Sequence, residues 1–325
     1  VIFDMAYVPK PLKCDPKLFD IDLSSKNYII TGANSGVGLG TAEQLMKQGA
    51  NVYFACRDEE KYKFSISQIK SEQLPGKASY LELDLSDLES VRACANKINS
   101  EIETISALVN NAGIMMPPKK ITKHGFESQF AINHLGHFLL TELLLNKLLA
   151  SSPSRVINVS SVAIDGLPGN KPPDINFEDL NFDKRKYNRA EAYAQSKLAN
   201  CLYTKNLSER LLSKGVTAVS IHPGWVRTNL ERYVSRNPVA KLFTEVVALI
   251  LGGKIDYHIG SHTSLFVLLD ENVPKMSGEF FSQVGVYKNK KDRSGGWPMK
   301  APNSKIYDSE MSEKLYEVSK ELVGL

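Results

Sequence analysis

From residue 27 onward, short β-branched runs alternate with longer amphipathic stretches. The runs predict strands at 27–31 (NYIIT), 51–55 (NVYFA), 78–83 (ASYLEL), 105–110 (ISALVN), 155–160 (RVINVS) and 216–222 (VTAVSIH), with a last one at 278–282 (GEFFS). Helices are predicted at 37–49, 58–73, 86–103, within 124–150, at 189–213 and at 308–323. Their ends carry recognisable signals. Gly49 stops the first helix and Pro75 the second; Asp58 is placed to cap the second. Ser86 with Glu89 reads as a capping box for the third. The strands are apolar without alternating, which implies a parallel sheet buried on both faces. Right-handed crossovers then give an α/β fold, a doubly wound parallel sheet.

The rhythm divides the chain into an irregular arm at 1–22, a single domain at 23–285 and an extension at 286–325. The segment 229–258 is apolar enough to form one wall of a cleft, as a substrate loop, or to bury itself against the core or a partner. No run of about 18 uncharged apolar residues occurs, so no transmembrane helix is predicted. The chain starts at Val1 rather than Met, which leaves open an anchor or transit peptide ahead of it.

Composition adds exclusions. The chain is 42% hydrophobic and 23% charged with a net charge of +4, which does not suit a nucleic-acid binder. The basic run KNKKDR (288–293) reads as a solvated loop. Cys14, Cys56, Cys94 and Cys201 form no C-x-x-C pair and no zinc spacing, so no metal is expected. Free thiols fit a reducing compartment, cytoplasmic or an organellar matrix, with peripheral membrane association compatible. Of the sequons at Asn158 and Asn206, the first lies inside a predicted strand and is not a plausible glycosylation site.

Candidate chemistry begins at TGANSGVGLG (31–40), where the first strand turns into the first helix. Gly32, Gly36 and Gly38 let the backbone approach a pyrophosphate, and the helix N-terminus offers N–H groups to it. Thr41 rules out the common G-x-G-x-x-G spacing. At the end of the second strand stands Arg57 rather than an acid, which favours NADP(H) over NAD. The competing reading is a surface pair between Arg57 and Asp58 or Glu60.

Tyr-x-x-x-Lys occurs three times, at Tyr193/Lys197, Tyr287/Lys291 and Tyr316/Lys320. Only the first follows a serine at a strand end, Ser161 in NVSS. With TGANSGVG, Asp84, NNAG (110–113), Tyr193/Lys197 and HPGWVRT (222–228) in this order, the chain resembles the short-chain dehydrogenase/reductase superfamily, a Rossmann-type fold, over about 23–285. SGVGLGTA, ACRD, NHLGHFLL and NVSS are most similar to its retinol dehydrogenase group. GNKPPDINFEDL and SKELVGL show a thinner likeness to light-dependent protochlorophyllide reductase.

The resemblance implies roles. Ser35, Gly36, Val37 and Gly38 would line the pyrophosphate and ribose; Asp84 and Leu85 would flank the adenine; Asn111, Ala112 and Gly113 would pass the ribose. Pro223, Gly224, Val226 and Thr228 would hold the nicotinamide carboxamide. Ser161 would be the catalytic serine, with Ser160 pointing inward, and Asn133 would support Lys197 through water. Tyr193 and Lys197 share a helix face, and a neighbouring ammonium favours the phenolate, so Tyr193 could move a proton. Lys197 would also hold the ribose. Singly, Ser161, Asn133 and Tyr193 read better as a turn serine, a helix amide and packing; their joint order is what points to a site.

The proline-rich insert between Ser161 and Tyr193 is expected to rim the cleft. A carbonyl or alcohol on a bulky hydrophobic substrate is the first reading: retinoid, steroid, lipid aldehyde or quinone. A pigment-type double-bond reductase using Cys201, and a non-catalytic NADPH-binding subunit, are the others. His134, His137 and His222 read as structural. The resemblance also implies a homodimer through the helices within 124–150 and 189–213.

Overall fold

The computed structural model describes residues 9–167, 170–226 and 254–325. Its strands are β1 (Asn27–Thr31), β2 (Asn51–Cys56), β3 (Lys77–Glu82), β4 (Ala107–Asn110), β5 (Ser154–Val159), β6 (Val216–His222) and β7 (Phe280–Ser282). They form one sheet in the order β3-β2-β1-β4-β5-β6-β7, with every pair parallel. This is the doubly wound, Rossmann-type α/β fold expected from the sequence.

The helices are α1 (Gly36–Lys47), α2 (Glu59–Gln68), α3 (Leu88–Glu101), α4 (Ser128–Phe130), α5 (Gly136–Leu143), α6 (Leu145–Ala150), α7 (Arg189–Leu211), α8 (Tyr257–Leu269) and α9 (Ser309–Val323). Neighbouring strand residues point to opposite faces. Ile29, Leu108, Val156, Ala218 and Phe280 join one core with α3, α5, α7 and α9. Ile30, Val109, Ile157, Val219 and Phe281 join the other with α1 and α8. Both faces are therefore apolar, which is why the strands do not alternate.

Three local readings change. Ser86 does not cap α3: its hydroxyl donates to Asp84 Oδ1 at 2.6 Å, and Asp87 caps instead, accepting from the Glu89 N–H at 3.0 Å. The Asp84 carboxylate outcompetes the helix for the serine. The helix within 124–150 is interrupted by a π-turn at Ala131–Leu135. KNKKDR is only partly solvated. Arg293 is buried and donates through Nε to the Tyr287 carbonyl at 3.0 Å, while the Lys288 N–H donates to Asp165 Oδ2 at 2.7 Å.

Both ends of the described chain are tied down. The Leu12 N–H and C=O pair with the side-chain amide of buried Gln283, and the Cys14 N–H donates to His262 Nδ1 at 2.9 Å. Helix α9 lies on α5 and α7. Ser312 Oγ donates to the Leu202 carbonyl at 2.8 Å, Ser319 Oγ meets His134 Nε2 at 2.9 Å, and the Arg210 guanidinium sits 4.2 Å over the Tyr316 ring. Part of the surface of α5 and α7, the helices expected to form a homodimer, is thus covered by α9. The insert docks on the same region: Asn303 Nδ2 donates to the Pro173 carbonyl at 3.2 Å, and Lys305 pairs with Asp174. Among the described residues, no helix is long and apolar enough to cross a membrane.

Leu315 is the anchor of α9, with 1% of its surface exposed. Leu315→Ala should cost about 2–5 kcal/mol of unfolding free energy, read as a lowered urea midpoint at unchanged slope. An unchanged midpoint would mean that α9 is only loosely docked.

Candidate active site

β1 and β4 are neighbours although two strands and three crossovers separate them in sequence, and in such sheets ligands bind beyond the strand ends at this reversal. The turn after β1 and the loop after β4 meet there at very close range. A Cβ on Gly32, whose φ is +65°, would lie 3.0 Å from the Ala112 Cα; one on Gly38 would lie 2.6 Å from Asn111 Nδ2 and 2.8 Å from the Gly32 carbonyl. Glycine is the residue that admits this approach. Thr31 binds the two loops together. Its Oγ accepts the N–H groups of Asn111 and Ala112, both at 2.9 Å. Asn111 Nδ2 in turn donates to the Thr31 carbonyl at 2.8 Å.

Gly36 and Val37 open α1, and its N-cap Ser35 makes no side-chain cap bond, so first-turn N–H groups stay available to an anion. Gly40 serves helix packing, since a Cβ there would press on Tyr257 and Ser261 of α8. Asp58 caps α2 as expected, accepting from the Lys61 N–H at 3.0 Å. Arg57 pairs with neither Asp58 nor Glu60. Its guanidinium lies 3.7 Å from Asp84 Oδ2, and its side chain stays 68% exposed. The two residues expected near the adenosine end therefore sit together. Leu85 follows, buried against the π-turn, where its carbonyl would meet a Cβ on Gly136 at 2.5 Å.

At the end of β5, Ser160 and Ser161 point opposite ways. Ser160 Oγ donates to the Lys197 carbonyl at 2.8 Å and accepts from Cys201 Sγ at 3.2 Å. Ser161 Oγ caps the next turn, accepting from the Ala163 N–H at 3.2 Å, and also hydrogen-bonds Tyr193. Asn188 caps α7 and starts the helix that carries Tyr193, Ser196 and Lys197. Lys197 Nζ donates to the Val159 carbonyl at 2.9 Å and sits 5.8 Å from the Tyr193 ring centre. Asn133, in the π-turn, clasps Ile114: Oδ1 accepts its N–H at 2.9 Å and Nδ2 donates to its carbonyl at 3.0 Å. Nδ2 also donates to Ser196 Oγ at 2.9 Å. Gly113 threads between these groups, and a Cβ there would lie 3.1 Å from Asn133 Oδ1 and 3.5 Å from Lys197 Nζ.

Electrostatics differ from the expectation for Tyr193. Burial pushes the phenol up to about 12, outweighing the hydrogen bond from Ser161 that pulls it down. Burial lowers the Lys197 ammonium to about 8. In the chain alone, desolvation is the largest influence on both groups.

The loop Pro223–Val226 follows β6. Gly224, at φ +90°, packs against Ile255 and Gln283, and Val226 bridges Ile255. Thr228 and most of the 229–258 wall lie outside the described residues. Sequence reasoning missed Gln283, whose amide ties the N-terminal arm to this loop; no local pattern marks it. It also missed Met115 and Met116, which pack beside Tyr193, Ala163 and Ala194. Met116 opens onto a cavity of about 650 Å³ lined by residues 186–191. Tyr287 belongs to the second Tyr-x-x-x-Lys pair. It is buried, 2.6 Å from Ser282 Oγ and edge-on to His222.

A family profile described as short chain dehydrogenase matches residues 26–170. Human retinol dehydrogenase 13 is 40% identical over 303 residues, covering 93% of this chain and 86% of that protein. Human retinol dehydrogenase 12 is 40% identical over 310 residues, covering 94% and 89%. A crystal structure of an uncharacterised protein from Mycobacterium paratuberculosis superposes with a TM-score of 0.71 at 33% identity, covering 94% of this chain and 97% of that one. L-sorbose reductase from Gluconobacter frateurii, solved with NADPH and L-sorbose, shares the fold with a TM-score of 0.64 at 20% identity, over 83% and 99%. The chain belongs to the short-chain dehydrogenase/reductase family, in its retinol dehydrogenase-like group.

Burial holds His134 at about 3, His137 at about 4 and His222 at about 3, so all three are neutral when folded. An unfolded imidazole takes a proton near pH 6.5. As pH falls from about 6.5 toward 4, the unfolded chain binds protons that the folded chain refuses, and stability drops. Urea midpoints measured at pH 7, 5.5 and 4.5 should fall in that order; a constant midpoint would contradict the burial.

Proposed function

We propose that the protein is an NADP(H)-dependent oxidoreductase that interconverts a carbonyl and an alcohol on a bulky hydrophobic substrate. The observation that carries this reading is the convergence of Ser161, Tyr193, Lys197 and Asn133 around Gly113, next to the glycine turn. The close approach that only Gly32 and Gly38 permit fits a dinucleotide laid across the ends of β1 and β4. Gly32 and Ser35 to Gly38 would hold the pyrophosphate, Asp84 and Leu85 the adenine side, Asn111 to Gly113 with Lys197 the ribose, and Pro223, Gly224, Val226 and Thr228 the carboxamide. Arg57 would take the 2′-phosphate, and its guanidinium, 68% exposed beside Asp84, is open to one. When bound, the cofactor supplies the hydride.

Tyr193 Oη keeps its proton at neutral pH and gives it to the substrate oxygen in reduction. Ser161 Oγ orients that oxygen and bonds its developing charge. Lys197 brings an ammonium to the phenol, and Asn133 would support it through water. Met115, Met116 and Leu167 add apolar surface beside Tyr193. These features, with the retinol dehydrogenase names of the relatives, support a retinoid or similar lipid carbonyl as substrate. Cys201 does not favour double-bond reduction: its thiol is buried, faces Ser160, and is pushed up to about 11. Four buried free thiols suit a reducing compartment.

The test is an NADPH-oxidation screen over aldehydes, ketones and quinones, retinal included, with Tyr193→Phe as control. Turnover should fall by about 10²–10⁴-fold in that variant; retained turnover would refute the mechanism. Arg57→Asp should shift preference toward NADH, and unchanged NADPH affinity would rule out the arginine's role. Gly38→Ala, whose methyl would strike Asn111 Nδ2 and the Gly32 carbonyl, should weaken NADPH binding by about tenfold or more in a fluorescence titration. For carbonyl reduction, kcat should decline as pH rises through about 8, where Lys197 loses its charge while Tyr193 stays protonated. A kcat that is flat up to pH 10 would contradict this.

A further inference from the structure

Thr31, at the end of β1 where the glycine turn begins, and His137, on α5, are far apart in sequence, and neither belongs to the serine–tyrosine–lysine set. Both are buried, and their side chains meet: Thr31 Oγ lies 2.8 Å from His137 Nε2. The other ring nitrogen, Nδ1, lies 3.0 Å from the Asn133 carbonyl.

Counting donors and acceptors decides where the protons are. A carbonyl only accepts, so His137 Nδ1 must carry the hydrogen. Thr31 Oγ already accepts two N–H groups, from Asn111 and Ala112. With both lone pairs used, it can only donate to the imidazole. Its other acceptor, the Val109 carbonyl, is farther away at 3.4 Å. A second ring proton would point Nε2–H at an oxygen with nothing left to accept it. The ring is therefore locked neutral, as the Nδ1–H tautomer. Burial and the nearby Lys197 charge act in the same direction.

We infer that His137 is a positioning residue, which orients the Thr31 hydroxyl toward the loop after β4 and takes up one lone pair of the Asn133 carbonyl. Through it, three pieces of the candidate site move as one body: the end of β1 entering the glycine turn, the Asn111–Gly113 loop beside Lys197, and the π-turn that presents Asn133. The loop cannot slip away from the turn without taking the Asn111 and Ala112 N–H groups off their acceptor. The inference rests on the proposed Tyr193/Lys197 site for its catalytic consequence, but not for the geometry.

The first arm of the experiment needs neither cofactor nor substrate. In ¹⁵N-histidine NMR of the chain alone, one imidazole should stay neutral in the Nδ1–H form from pH 5 to 8, and His137→Phe should remove that signal. An Nε2–H tautomer at that position, or titration within the window, overturns the inference. The second arm compares Thr31→Val, Thr31→Ser and His137→Phe for NADPH dissociation constant by fluorescence, for melting temperature without cofactor, and for the pH midpoint of kcat. Thr31→Val and His137→Phe should each weaken NADPH by about tenfold and move the pH midpoint, while Thr31→Ser, which keeps the hydroxyl, stays within about twofold of the parent. A merely structural role would lower the melting temperature and the active fraction but leave the midpoint in place, and that result also overturns the inference. If His137→Phe fails to fold, the Thr31 pair and the NMR of the parent still decide. Tyr193→Phe run alongside separates the two readings: turnover retained in that variant defeats the proposed site and leaves the tautomer and affinity results standing.

Discussion

The site depends on one steric fact: two backbone loops approach each other at the ends of β1 and β4 more closely than side chains would allow. A methyl on Gly32 would meet the Ala112 Cα, and one on Gly38 would meet the Asn111 side-chain amide and the Gly32 carbonyl. Parallel strands set the direction of both loops, and the strand order makes them neighbours. The contact leaves a narrow shelf of N–H groups next to the start of α1. Everything chemical is placed relative to that shelf, including Lys197, whose ammonium is docked on the last carbonyl of β5.

Burial then assigns protons. Tyr193 and Lys197 are 3% and 4% exposed, and desolvation moves them in opposite directions, each toward its neutral form. The phenol becomes a firmer proton store and the ammonium a more easily lost charge. This is the reverse of what spacing on a helix suggests, because spacing conveys proximity but not the loss of water around the pair.

The order of strands and helices was legible because apolar strands and capping residues are local signals. The glycine turn, Arg57, Ser161 and the Tyr193/Lys197 pair were legible because each sits at a strand end or on one helix face. What escaped depends on tertiary competition. Ser86 lost its cap to the Asp84 carboxylate. The π-turn at Asn133 is one extra residue per turn, invisible to a period of 3.6. Tyr287 and Arg293 bury themselves within a polar stretch because they satisfy each other and Ser282. Gln283 takes its importance from Leu12, a partner at the far end of the chain.

That last bond carries a consequence for how the molecule is made. Leu12 and Gln283 are 271 positions apart, so the arm's attachment is among the most non-local contacts of the fold. Closing such a long loop is slow and gains nothing until both ends are in place. On a ribosome, the glycine turn and the first strands emerge early. The loop holding Gly224 cannot be braced by the arm until nearly the whole sheet has been synthesised. A nascent chain would thus carry the glycine turn for most of its synthesis before the loop at Gly224 gains its brace.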